Sequence, residues 1–226
     1  MSDVREYFKR WPKTYFFIGE VFGPMMFCGL SSRSFLKKYK SDGEIVNLGS
    51  GPRILGTAVK NVDLYNYPGV NVVSDICKTP LESDSVDRIV CDNVLEHVKD
   101  PKLAVAEMLR ILKKGGVAYI AVPFLYPFHS SPSDYQRYSK EGLKFLFNEF
   151  EMVEIGTRAG PFSALTVYLC HLFGLIFSFG SLWLNSLITN LVMFLLFPIK
   201  LLDLIFNHWP NSHTMAAVMY CVVRKK

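Results

Sequence analysis

The sequence predicts an α/β fold: a mostly parallel sheet covered by helices, with a hydrophobic helical insert before its last strand. Three observations carry this. From about residue 44 to 157, short apolar runs alternate with amphipathic stretches, the pattern of strands and helices taken in turn. The first apolar run ends in Gly49-Ser50-Gly51, a strand entering a tight turn. Between Arg158 and Lys200, 41 residues pass without a single Asp, Glu, Lys or Arg.

Taken in order, EIVNLGSG is a buried strand and AVKNVDL a second strand ending in an acid. GVNVVSDI and VDRIVCDN are the third and fourth. PKLAVAEMLRILKKGG reads as a helix with Leu103, Val105, Ala106, Leu109, Ile111 and Leu112 mostly on one face, stopped by Gly115-Gly116. GVAYIAVPF is a fifth strand, EGLKFLFNEF an amphipathic helix and FEMVEIGTRAG a sixth strand. FSALTVYLCHLFGLIFSFG and LWLNSLITNLVMFLLFPI each have roughly the ~20 apolar residues that span a bilayer. TMAAVMYCVVRKK then returns as a strand. The expected division is an arm over 1–43, a core over 44–160, the insert over 161–210 and the returning strand over 211–226.

A chain of 226 residues suits one sizeable core, and 50% hydrophobic composition excludes a disordered chain. Residues 1–40 hold eight Lys/Arg against three acids, flanking the apolar stretch YFFIGEVFGPMMFCGL. That mixture reads as a membrane-surface helix or a solvated helix packed on the domain, and not as a nucleic-acid arm. Glu20 and Pro24 interrupt the apolar stretch, so it does not read as a secretory signal. The five cysteines form no C-x-x-C pair and read as small buried hydrophobes in a reducing compartment. No Cys/His/Asp cluster has metal-ligand spacing, so no metal is expected.

In open α/β sheets, ligands bind at the carboxyl ends of the strands. Strand one ends in Gly49-Ser50-Gly51, and strand two in Asp63, which can accept two hydrogen bonds from ribose hydroxyls. Strand three ends in Asp75, able to read an adenine amino group or to cap the next helix. In this order the three are far more specific than any one alone.

NLGSGP, VDLYNYPGVNVVSD, PLESDSVDRIVCDNVLEHVKDP, AEMLRILKKGG and YIAVPF resemble the successive motifs of class I S-adenosylmethionine-dependent methyltransferases. PFHSSPSDYQRYSKEGLKFLF resembles a subfamily associated with polysaccharide and lipid-glycan biosynthesis. The resemblance covers about 44–160 and the returning strand. It implies a Rossmann-like, seven-stranded sheet with one antiparallel strand. It also implies S-adenosylmethionine held by Asn47, Gly49, Ser50, Gly51, Asp63, Leu64, Asp75 and Ile76, with Asp92 and Asn93 beside it. Two features depart from the pattern. Asn47 stands where an acid is usual, though its amide can still orient the turn by hydrogen bonding. RILGTAVK is too short for the usual first helix.

His129 follows strand five by a few residues and is the candidate general base for an alcohol acceptor. Asp134 could orient it, Arg137 could hold an anionic acceptor, and Tyr135 and His97 could line the pocket. Glu96 reads as a helix-start charge or a loop anchor. The competing reading is an Asp134–Arg137 salt bridge that fixes a proline-rich loop. The expected function is methylation, on oxygen, of a membrane-associated acceptor: a lipid-linked sugar, a glycan or a lipid headgroup. The protein would act at the cytoplasmic side of a membrane, peripheral or hairpin-anchored, though a buried helical cap over the site fits the insert as well. A non-catalytic binding module is the alternative. A nicotinamide-dependent Rossmann enzyme ranks last, because Ile54 stands where the third glycine of G-x-G-x-x-G belongs.

Overall fold

The computed structural model describes residues 21–129 and 133–226. Most of the basic arm, 1–20, and the short stretch 130–132 lie outside the described residues. The described residues divide into two compact units: 29–158 with 218–226, and 21–28 with 159–217.

The sheet unit opens with a helix, Ser32–Lys38, capped by Ser31. Seven strands follow: β1 (Ile45–Leu48), β2 (Val59–Asp63), β3 (Val72–Val73), β4 (Val86–Asp92), β5 (Leu112–Pro123), β6 (Glu151–Ala159) and β7 (Val218–Arg224). Their order is β3-β2-β1-β4-β5-β7-β6. β1 pairs parallel with β2 and β4, β2 with β3 and β4 with β5. β7 runs antiparallel to β5, with Val117 opposite Arg224 and Pro123 opposite Val218.

β1 lies inside the sheet, and all four of its residues are buried. A fully buried strand reads as a continuous apolar run, and Asn47 is its exception. Its amide is satisfied across the ladder: Asn47 Nδ2 donates to Asn61 Oδ1 at 3.1 Å, and the two are register partners. Asn61 in turn donates to Gly69 O at 3.0 Å. The expectation that Asn47 orients the Gly49–Gly51 turn is therefore corrected. Its side chain is spent between β1 and β2.

The helix Pro101–Ile111 starts at the Asp100 cap, with Pro101 at its first position. It buries Ala104, Val105, Met108 and Ile111, a stripe rotated from the predicted one; Leu103 and Ala106 differ, with Leu103 exposed. It also ends four residues before Gly115. Leu112 is already extended, is fully buried and pairs with Val86, so sheet pairing takes it from the helix. Lys113–Gly116 form an irregularity in β5, with Gly115 at φ +79° and the register shifting between Val86 and Arg88. Third-strand pairing covers only Val72–Val73, so Asp75 lies past its end. The β1–β2, β2–β3 and β3–β4 connections are turns and loops, so helices cover less of the sheet than the alternation predicts.

Arg88, buried on β4, donates to Leu36 O and Tyr39 O at 3.1 and 3.0 Å and to Ser41 O. These carbonyls close the end of the Ser32–Lys38 helix, so one guanidinium docks that helix on the sheet. Glu107 is held between Arg110 and Thr79. Burial alone would raise its carboxyl, but the Arg110 guanidinium and the Thr79 hydroxyl and N–H bring it down to about 2.

The second unit is an apolar helical pair. Pro161–Phe177 and Leu182–Leu196 pack together, and Gly174 brings them close: a Cβ there would fall 2.1 Å from Thr189 Oγ1. Phe179 (φ +48°) and Gly180 (φ +82°) make the turn between them. The first helix has 17 residues; one longer apolar stretch, Leu182–Phe206, has the length and composition to cross a membrane. The sequence predicts two similar spans of about 20 residues, and the structure makes them unequal. Asp203, fully buried, accepts from Phe162 N and Ser163 N at 2.9 and 2.8 Å, capping the first helix from a distance because Gly160 has no side chain to do so. Lys200, also buried, donates to Val21 O and Gly23 O at 2.9 and 2.6 Å. The last turns before residue 206 are thus fixed by buried polar groups.

Removing the Arg88 guanidinium (Arg88→Met) strands three carbonyls and should cost roughly 1–3 kcal/mol, read from urea unfolding. Because the Glu107 carboxyl is depressed in the folded chain, its contribution is complete above its ordinary value near 4.5 and fades as pH falls toward 2. The stability gap between wild type and Glu107→Gln should therefore be widest at neutral pH and shrink at pH values between these limits.

Candidate functional site

The site is built at the carboxyl ends of β1, β2 and β4. Gly49 has φ +67° and Gly51 φ +53°, a left-handed turn that other residues enter only at a cost. The two glycines answer different needs. A Cβ on Gly49 would meet the Val94 methyls at 2.4 and 2.5 Å. A Cβ on Gly51 would meet nothing within 4 Å, so its face is open for another molecule.

Asp63, buried at the end of β2, orders this turn. Oδ2 accepts from Gly51 N at 2.7 Å and Oδ1 from Tyr65 N at 2.9 Å. Each oxygen has one further lone pair for an outside donor. Ser50 is buried and its hydroxyl donates to Gly51 O. Leu64, beside Asp63, is exposed, while Ile76 is buried. Asp75 Oδ1 accepts from Cys77 N at 2.8 Å, an Asx turn, with the carboxylate otherwise exposed.

At the end of β4, Asn93 also has a left-handed backbone (φ +57°), a sparsely populated state for a side-chain-bearing residue. Asp92 beside it is nearly buried and heavily engaged. It pairs with Arg158, accepts from Asn93 Nδ2 at 3.1 Å, and meets Arg53 Nη1 at 3.1 Å. Arg53 thereby ties the turn after β1 to the end of β4, with its guanidinium half in solvent. Sequence reasoning missed Arg53 and Arg158; position alone, four residues after Gly49, could have flagged Arg53.

The loop after β5 carries the second cluster. Arg137 donates Nε–H to Tyr126 O, and its two Nη groups reach Asp134 Oδ1, Asp134 Oδ2, Gln136 O and Pro127 O. A guanidinium has five N–H groups, and all five have acceptors. Arg137 is therefore the clamp of a proline-rich loop and has no donor left for an anionic acceptor, which corrects its substrate-binding assignment. Asp134 is consumed by the same clamp. The Arg137 pair holds its carboxyl at about 2, against burial and with help from His129 N–H.

His129 Nδ1 lies 3.5 Å from Asp134 Oδ2. Its ring also meets those of Tyr126 and His97 edge-on, with centroids 5.0 and 5.1 Å apart. His97 Nδ1 meets Ser133 O. Beside both rings sits Glu96, fully buried on the short 3-10 turn Leu95–His97. Tyr135 is half exposed, its N–H donating to Glu96 O at 2.8 Å. The structure brings His97, His129 and Asp134 close to one another, with Glu96 beside both imidazoles.

Residues 29–120 match the family model described as "Methyltransferase domain". Among curated proteins, an uncharacterized chloroplastic methyltransferase of Arabidopsis thaliana is 35% identical over 107 residues, which is 42% of this chain and 29% of that protein. An uncharacterized transposon protein of Streptomyces fradiae is 32% identical over 96 residues, 42% of this chain and 27% of that protein. The chain therefore matches less than a third of the length of either relative. Among solved structures, a Thermotoga maritima methyltransferase described as a possible histamine N-methyltransferase aligns with TM-score 0.57 and 18% identity, covering 97% of this chain and 98% of that one. The Haemonchus contortus phosphoethanolamine N-methyltransferase 2, solved with S-adenosylmethionine, aligns with TM-score 0.56 and 16% identity, covering 100% of this chain and 60% of that one. The fold is that of the class I methyltransferases: Rossmann-like, with a seven-stranded sheet and an apolar helix before the last strand.

Gly49→Ala combines a left-handed backbone costing roughly 1–2 kcal/mol with the Val94 clash. It should lower the thermal midpoint, and Val94→Ala in the same chain should recover the steric part but not the backbone part.

Proposed function

We propose that this chain is an S-adenosylmethionine-dependent methyltransferase acting on a membrane-associated acceptor. One observation carries the donor half: Asp63, buried at the end of β2, holds the Gly51 turn open while keeping a lone pair on each oxygen. That arrangement suits two ribose hydroxyls. Leu64 and Ile76 supply apolar surface for an adenine, and the exposed Asp75 oxygen an acceptor for its amino group. Arg53, half in solvent above the turn, suits a donor carboxylate.

When bound, S-adenosylmethionine supplies a methyl group on a positively charged sulfonium. The protein's part is alignment and removal of the acceptor's proton, and alignment alone supplies up to roughly 7–11 kcal/mol in favourable systems. Asp92 and Asn93 at the end of β4 frame the reacting end. His129 is the base for an alcohol acceptor. Its Nδ1 lies 3.5 Å from Asp134 Oδ2 and its Nε2 3.8 Å from Glu96 Oε1, so both carboxylates lie beside the ring without a hydrogen bond to it. Nε2 would take the proton that the acceptor hydroxyl gives up as the C–O bond forms and the methyl C–S bond of the donor breaks, leaving a neutral thioether. Tyr135 and His97 are pocket walls.

The acceptor class rests on the helical pair. Leu165, Leu172, Leu175, Leu191 and Leu195 are exposed, and at the turn Phe179 and Leu182 are each 89% exposed. Only 17% of the apolar Leu182–Phe206 window is buried. So much contiguous apolar surface marks a membrane or partner interface. A 17-residue helix rises about 25 Å, short of a ~30 Å hydrocarbon core. The pair therefore enters from one side as a hairpin, with Phe179 and Leu182 leading, and leaves by the same side to reach β7. The cytoplasmic side is assigned because the donor is made there and the flanks are basic. The acceptor is a lipid-linked sugar, a glycan or a lipid headgroup, methylated on oxygen.

Calorimetry with S-adenosylmethionine and S-adenosylhomocysteine tests the donor site. Micromolar binding lost in Asp63→Ala, with the thermal midpoint tracked as a folding control, is the expected result; no binding by folded wild type would favour a non-catalytic binding module. His129→Ala should fold and bind donor but lose turnover. For the membrane, wild type should float with anionic vesicles and the Phe179→Asp, Leu182→Asp double variant should not. Wild type recovered wholly soluble and monodisperse without detergent would overturn the hairpin.

A further inference from the structure

We propose that Glu96, His97 and His129 form a binding site for one divalent first-row transition metal ion of the zinc class. The linear spacing hides it: Glu96 and His97 are adjacent, and His129 arrives from the loop after β5. In the fold, one ligand atom from each lies within 4.8 Å of the others. Glu96 Oε1 is 3.8 Å from His97 Nε2 and 3.8 Å from His129 Nε2.

Four features point to a cation. First, the Glu96 carboxylate is fully buried, and neither oxygen has a hydrogen-bond partner among the described residues. A buried carboxylate without donors is costly and calls for a positive charge beside it. Second, both imidazoles present the same nitrogen. His97 Nδ1 meets Ser133 O, which selects the Nδ1–H tautomer and leaves the Nε2 lone pair aimed at Glu96. His129 Nδ1 lies 3.5 Å from Asp134 Oδ2 without a hydrogen bond, close enough for that carboxylate to accept the Nδ1–H once Nε2 ligates. Third, these outer contacts, a backbone carbonyl and a carboxylate, are the partners that orient metal-bound histidines. The Arg137 clamp fixes Asp134, and through it the second ring. Fourth, without an ion two nitrogen lone pairs and a carboxylate face one another at a distance too long for a hydrogen bond.

The spacing is close to that required. Ligands bound at about 2.0–2.2 Å in a tetrahedral site lie roughly 3.3–3.6 Å apart, so each Glu96–imidazole distance needs to close by a few tenths of an ångström, with all three ligand atoms already within 4.8 Å of one another. Two imidazoles and one carboxylate suit zinc, iron(II) or cobalt(II), not magnesium or calcium, which take oxygen donors. Three protein ligands leave a fourth position open, and His129 is partly exposed, so an outside ligand can enter. An ion bound there occupies the His129 Nε2 lone pair and so excludes that nitrogen as the base proposed above; turnover abolished by chelator and restored by Zn²⁺ assigns the ring to ligation, and turnover that chelator raises assigns it to proton transfer. The metal site does not depend on the methyl-transfer reading, because its readout is metal binding in the absence of any donor.

The test uses the full chain, stripped with chelator and dialysed. Zn²⁺ titration by calorimetry and Co²⁺ titration by visible absorption should each show one equivalent bound, with the intense d–d bands of a four- or five-coordinate site for cobalt. His129→Ala, on a partly exposed loop position, and Glu96→Gln should each weaken binding at least tenfold, while His208→Ala and His213→Ala should not. Near-ultraviolet circular dichroism and the thermal midpoint establish that each variant is folded. Should Glu96→Gln fail to fold, His97→Ala and His129→Ala decide. No stoichiometric binding by folded wild type, or equal binding by His129→Ala and wild type, would overturn the site. Loss of S-adenosylmethionine binding in Asp63→Ala with zinc binding retained would separate the two sites experimentally.

Discussion

Asp63 Oδ2 accepts a hydrogen bond from Gly51 N–H, and on that contact the carboxyl end of the sheet at β1 and β2 depends. It joins the turn after β1 to the end of its neighbour β2. The turn is left-handed at both glycines, a conformation the chain does not hold without a partner for its N–H groups. Gly49 N and Ser50 N are taken by Val62 O, and Gly51 N by Asp63. The result is a rigid, open-faced turn next to a carboxylate with spare acceptor capacity. The missing first helix matters less for that reason: the backbone N–H groups it would have ordered are ordered by β2.

A second constraint acts across the end of β4. Asp92 gathers Arg53 from the turn and Arg158 from β6, so three strand ends are cross-linked by charge, the Asp92–Arg158 pair buried and Arg53 half in solvent. Buried ion networks of this kind are costly to break and specify geometry more than they add stability. The loop after β5 is governed by similar chemistry. Arg137 satisfies all five of its N–H groups on Asp134 and three carbonyls, which turns a proline-rich loop into a fixed support for His129.

The helical unit obeys a different logic. Its apolar residues face outward in numbers that a water-facing surface does not carry, yet its base is knit by Asp203 and Lys200, both buried and both hydrogen-bonded to backbone. Hydrophobic surface at the tip and satisfied charges at the base are the distribution on which the proposed membrane hairpin rests.

Local pattern determined much of this protein. Apolar runs of a few residues mark the strands, glycines and acids at their ends mark the proposed donor site, and 41 uncharged residues mark the insert. Each is legible because it depends on neighbours within a few positions. The tertiary structure decided the rest. Leu112 leaves its helix because Val86 pairs with it, Asn47 turns to Asn61 because the two share a register, and Arg137 is consumed by carbonyls up to eleven residues away. Glu96 reads locally as a helix-start charge; only the fold puts two imidazoles beside it. The physical reason is common to all four. A group's role is set by which partners satisfy it, and in a folded chain most of those partners are distant in sequence.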